Sequence, residues 1–173
     1  IGKATTLLFF SHLEEAAEAV RRIRAFAVAA VEIVNGRSVQ LLREKRPGLG
    51  LPEGRPHMLM VEYTGPERHA QIEQVNHALS EGRYRLSAPP RTVEDTEAQE
   101  RLWRARKSLL PVLRSLRRES EVFSVVNDVG VPVEHLAAFV RDVEAVFDRH
   151  SLVVAIYGHA GSGNLHLRPL FEP

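Results

Sequence analysis

Apolar positions recur along this chain at two spacings. Residues 5–10 (TTLLFF) form a short apolar run, which predicts a buried strand. Leu13, Ala16, Ala17, Val20, Ile23 and Ala27 then follow at helical intervals. Ser11, with Glu14 three residues on, has the form of a capping box for that helix. Residues 28–34 are rich in β-branched side chains and predict a second strand. Asn35-Gly36 marks a turn, and residues 37–44 a short helix. Residues 46–56 hold three prolines and three glycines and read as a loop. Residues 57–63 predict a third strand. Gly65-Pro66 then opens a helix whose inner face is Ile72, Val75 and Leu79 and whose stop is Gly82.

Residues 88–91, with two prolines, read as a separator between halves. Residues 92 to about 118 are strongly helical and basic toward their end, and Pro111 should kink or split that helix. Residues 123–131 look strand-like. Pro132 starts a helix facing the core through Leu136, Phe139, Val140, Val143 and Phe147. Residues 152–157 and 165–170 predict two more strands around a glycine-rich turn. The pattern predicts an α+β domain: a ferredoxin-like, split β-α-β antiparallel sheet with helices packed on one face.

Composition narrows the function. A chain of 173 residues is long enough for one domain with a real core. A net charge of +1 carries no electrostatic footprint for nucleic acid or anionic lipid. The absence of cysteine excludes disulfides, thiolate metal sites and cysteine-held iron–sulfur clusters within the chain, and fits a reducing compartment. No apolar run approaches the roughly 20 residues of a membrane span, so an integral membrane protein is not expected. The chain starts without Met and stops after LFEP, and both ends read as cuts in a longer polypeptide.

The candidate chemistry lies in residues 157–169, YGHAGSGNLHLRP. A phosphate loop would continue into Lys-Ser/Thr and a helix; Asn164-Leu165-His166 and a strand follow instead. Three readings stay open. His159 and His166 meet across a hairpin as two ligands of a metal site that needs a third. They are catalytic groups beside a substrate. Or the glycines serve a tight turn and the histidines bond to backbone. His166 and Arg168 should share a face, which would set a cation beside the imidazole, with Asn164 on the same side if the strand begins that early. Arg106, three residues after Trp103, is either a carboxylate clamp or part of a solvated basic helix face. Asp128 interrupts an apolar strand, so it needs a partner or a function unless it lies at an exposed strand end or caps the next helix.

At these residues the chain resembles a known family. GHAGSGNLHLRP is similar to the motif His-x-Gly-Asp-Gly-Asn-x-His of the C-terminal domain of FAD-linked oxidases. That family comprises glycolate oxidase FAD subunits, D-lactate dehydrogenases and D-2-hydroxyglutarate dehydrogenases, within the vanillyl-alcohol-oxidase superfamily. LFFSHLEEAAEAV resembles the first strand and helix of that domain, and VEIVNGRSV its "glutamate-x-x-aspartate" strand end. LWRARKSLLPVL resembles its Leu-Trp-x-x-Arg helix, and VVNDVGVPVEHL its Asp-Val-x-Val-Pro segment. The order and approximate spacing agree along nearly the whole chain.

The resemblance implies that residues 1–173 are a cap domain whose FAD-binding domain lies outside this chain. The family's flavin accepts a hydride from the α-carbon of a small D-2-hydroxy acid, and the cap builds the substrate pocket. Carried over by motif, Arg106 would clamp the substrate carboxylate, and Arg168, the cation beside the imidazole, would suit the same anionic substrate. His159 and His166 would sit at the hydroxyl, acting directly or holding a divalent metal such as zinc, and Asn164 would face the flavin or substrate. Ser162 stands where the family has Asp, and Val126 where hydroxyglutarate-type members have lysine. No Glu-His-Gly segment follows to supply a third ligand, and nothing matches Glu172 to that role. The Arg-Pro after the motif is closer to members fused to an iron–sulfur domain, which would put such a cluster elsewhere in the full-length protein. A cytoplasmic location is expected, with peripheral attachment to the inner face of the membrane left open for the full-length protein, and the isolated fragment should be inactive. The alternative is a stand-alone ferredoxin-like domain that binds a small ligand or a partner without catalysis.

Overall fold

The computed structural model describes residues 2–115 and 128–170. Its first half runs β1 (Lys3–Phe10), α1 (Leu13–Ile23), β2 (Ala30–Val34), α2 (Gly36–Lys45), β3 (His57–Thr64), α3 (Arg68–Glu81) and β4 (Leu86–Val93). These strands lie side by side as β4-β1-β3-β2, each pair antiparallel, which is the split β-α-β arrangement expected. The second half contributes α4 (Thr96–Lys107), α5 (Leu109–Ser115), β5 (Val129–Gly130), α6 (Leu136–Arg149), β6 (Val153–His159) and β7 (Asn164–Leu170). β6 joins the free edge of β2, and β7 and β5 follow it, so both halves share one seven-stranded antiparallel sheet.

The helices of the split unit, α1 and α3, pack with α6 on one face of this sheet, and α2, α4 and α5 add a second layer on the other. β1 shows why. Ala4, Leu8 and Phe10 enter the core with α1, α3 and α6, while Leu7 and Phe9 enter the core with α2, α4 and α5. A strand buried on both faces reads as a continuous apolar run, which is what residues 5–10 are.

Three local expectations change. The Ser11–Glu14 capping box does not form: His12 is the N-cap residue, and Glu14 instead meets Arg141 of α6 at 3.2 Å. Residues 88–91 are not a separator but lie inside β4. Among the described residues that strand is bonded only to β1, so its prolines cost no ladder partner on the outer side, and the register shifts across them. The helix after Pro132 starts later than expected, at Leu136, behind a 3₁₀ turn over Val133–His135.

The break expected from Pro111 is present: α4 is capped at Ser108, and Pro111 sits in the first turn of α5, where a missing N–H costs nothing. Residues 116–118 of the expected helix and 123–127 of the expected strand, Val126 included, lie outside the described residues, as does Glu172.

Candidate functional site

The two histidines are carried by the β6–β7 hairpin, which turns through a 3₁₀ turn at Ala160–Ser162 and Gly163 at φ 73°. A Cβ on Gly163 would overlap the Val131 carbonyl oxygen, and one on Gly158 would overlap that of Asn164. Two of the three glycines are therefore set by close backbone approach. A Cβ on Gly161 would meet Val31 no closer than 3.4 Å. Asn164 opens β7 directly, with no helix behind the loop, so the phosphate-loop reading falls away.

Register brings the candidate residues together. Tyr157 pairs with His166, His159 with Asn164, and Ala155 with Arg168, so all six share one face of the hairpin. It is the face that α2, α4 and α5 cover elsewhere on the sheet; on the opposite face Leu165 and Leu167 of β7 enter the core with α6. The His159 and His166 rings lie 6.3 Å apart, as diagonal cross-strand neighbours.

Glu32 ties this face to the helices. It is buried on β2, next to β6, with 3 % of its surface exposed. One carboxylate oxygen meets His159 Nδ1. The other accepts from Arg106 Nε at 2.7 Å, with Arg106 Nη2 2.6 Å away. Arg106, buried on α4, lies 5.2 Å over the Tyr157 ring, and Tyr157 lies 5.1 Å from the His166 ring. Glu32, Arg106, Tyr157, His166 and His159 thus form a closed circuit of contacts. His166 Nδ1 is 2.5 Å from Asp128, which answers the question of that carboxylate: it is exposed, and its partner is the second histidine.

Each imidazole therefore has Nδ1 on a carboxylate, an arrangement that orients the ring. Arg168 and Asn164 are half-buried on the same face. Ser162 donates to the His159 carbonyl at 3.1 Å, and Arg24 donates to that of Gly161, so the loop is tethered from both sides. A cleft of about 430 Å³ opens beside His159, walled by Phe26, Val28 and Val31. Among the described residues no three histidines or carboxylates converge as a metal-ligand set.

Motif reading marks Glu32 only as the glutamate of the "glutamate-x-x-aspartate" strand end in VEIVNGRSV, with no role attached, and does not single out Tyr157. Glu32 carries the same signal as Asp128, a carboxylate inside an apolar strand, in VEIV.

Comparison with known proteins gives a family. The profile described as "FAD linked oxidases, C-terminal domain" matches residues 2–173. Glycolate oxidase subunit GlcD of Bacillus subtilis is 26 % identical over 168 residues, covering 95 % of this chain and 34 % of that protein. A D-2-hydroxyglutarate dehydrogenase of Pseudomonas putida is 28 % identical over 144 residues, covering 74 % of this chain and 12 % of its own length. The mitochondrial D-lactate dehydrogenase [cytochrome] of Arabidopsis thaliana is 30 % identical over 115 residues, covering 66 % and 20 %. The chain thus spans about a third or less of these relatives. Among solved structures, an alkyldihydroxyacetonephosphate synthase shares the fold with a TM-score of 0.62 at 12 % identity, covering 95 % of this chain and 35 % of that one. A 4-ethylphenol oxidase from Gulosibacter chungangensis does so with a TM-score of 0.57 at 15 % identity, covering 98 % and 39 %.

Proposed function

Because the chain belongs to the family of C-terminal domains of FAD linked oxidases, we propose that it is the substrate-binding cap of a flavin-dependent 2-hydroxy-acid dehydrogenase, inactive without its FAD-binding domain. One observation carries the reading: two adjacent imidazoles, each with Nδ1 on a carboxylate, beside a buried guanidinium. The hairpin face suits a flavin partner, being polar toward His159, Asn164, His166 and Arg168 and without a phosphate-binding turn of its own. FAD, when bound, supplies the hydride acceptor.

This chain's residues supply orientation and proton transfer. Arg106, through the guanidinium edge turned away from Glu32, and Arg168 bind the substrate carboxylate. That contact fixes the α-carbon and hydroxyl relative to the histidines. His159 Nε2 takes the hydroxyl proton as the α-hydrogen leaves, and His166 hydrogen-bonds the same oxygen. Asn164 faces the cofactor. A divalent ion such as zinc would use the same two imidazoles, but the described residues do not complete its ligand set, so no step is assigned to it. With no cysteine here, an iron–sulfur cluster would be held elsewhere in the polypeptide. The cytoplasmic setting rests on the resemblance alone; among the described residues no helix is long and apolar enough to cross a membrane.

The test is His159→Asn and His166→Asn in the intact protein. Both variants should retain flavin and lose on the order of 10²-fold or more in the rate of flavin reduction by substrate. Reduction at the unmodified rate would remove the imidazoles from the chemistry.

A further inference from the structure

Glu32 is costly where it stands. A carboxylate buried on a central strand requires partners, and an apolar side chain of similar volume would pack there without that cost. Its two oxygens are divided, one to His159 and one to Arg106. We propose, on the footing of the function above, that Glu32 is a positioning residue which locks the proton-accepting imidazole and the carboxylate-binding guanidinium into one unit.

Two consequences follow from the geometry. On the histidine side, acceptance by Glu32 keeps the hydrogen of the neutral ring on Nδ1 and leaves Nε2 as the accepting nitrogen. On the arginine side, Nε and Nη2 are both turned to Glu32, so the guanidinium plane is fixed over Tyr157 and Nη1 is the nitrogen left to address a ligand. The spacing between proton acceptor and anion binder is then set by one carboxylate, not by two independent side chains. Loss of Glu32 should disturb both functions together.

The experiment uses Glu32→Ala and Glu32→Gln in the intact flavoprotein, with two readouts. The first is the His159 tautomer, read by ¹⁵N NMR of histidine-labelled protein and assigned with His159→Asn. The unmodified protein should show the Nδ1–H form, and Glu32→Ala should shift the ring toward Nε2–H. The second is kinetic. Glu32→Ala should raise KM and lower kcat together, roughly 10- to 100-fold in kcat/KM. Glu32→Gln has one acceptor for two donors, so it should spare one parameter and damage the other. If Glu32→Ala does not accumulate folded, the Gln variant decides. An unchanged tautomer, or normal kinetics per bound flavin with only a lowered melting temperature, would overturn the proposal. The tautomer readout needs no turnover, so a failure of the hydroxy-acid reading would appear separately, as a flavin that no 2-hydroxy acid reduces.

Discussion

His57, at the start of β3, accepts a hydrogen bond at Nδ1 from the Gly36 backbone N–H at 3.2 Å. Burial, with a smaller push from His12, lowers its pKa from the ordinary 6.5 to about 4. The unfolded chain therefore takes up this proton near pH 6.5 and the native protein only near pH 4. Between those values the unfolded state binds more protons, so stability rises with pH through the window and is lost as pH falls. The full effect is on the order of 3 kcal/mol. His57→Asn should flatten the pH dependence of the unfolding midpoint between pH 4 and 6.5; an unchanged profile would contradict the assignment. Nothing in the sequence marks His57, because its shift comes from burial against elements distant in the chain. The site residues differ in legibility for the same reason. His159, His166 and Arg106 stand out in motifs, whereas Glu32 matters only once β2 lies beside β6 and α4 packs above it.

Among the elements, the β6–β7 hairpin makes the sharpest demand on sequence. Gly163→Ala should destabilise the domain by about 2 kcal/mol or more, because it adds a clash with Val131 to an unfavourable positive φ. Gly161→Ala should be tolerated, since its Cβ meets only ordinary neighbours. Equal unfolding midpoints for the two variants would show that the loop is more pliant than its geometry indicates. The hairpin, the helix break before Pro111 and most strands are legible because apolar spacing and turn residues report local structure. β4 is hidden because proline argues against a strand, and only the sheet order reveals that this strand is an edge. The capping box misleads because its form is local, while Glu14 is drawn to Arg141 on α6.

At the scale of the whole molecule, one sheet joins two unequal neighbourhoods. β1, β3, β2 and most of β6 are buried between helical layers, β4 is a largely exposed edge strand, and the polar groups gather at the end of β6 and along β7. The α+β class and antiparallel pairing are legible in the sequence; the second helical layer is not, since a run buried on both faces resembles any apolar segment. This placement lets a rigid scaffold hold two histidines at the edge of the helical cover, backed by the buried Glu32 and Arg106. The most direct test of that account is anaerobic flavin absorbance of the intact parent protein, titrated with 2-hydroxy acids of both hands. The account predicts bleaching by a D-2-hydroxy acid and none by its mirror image. A protein without flavin, or a flavin that no 2-hydroxy acid reduces, would contradict it.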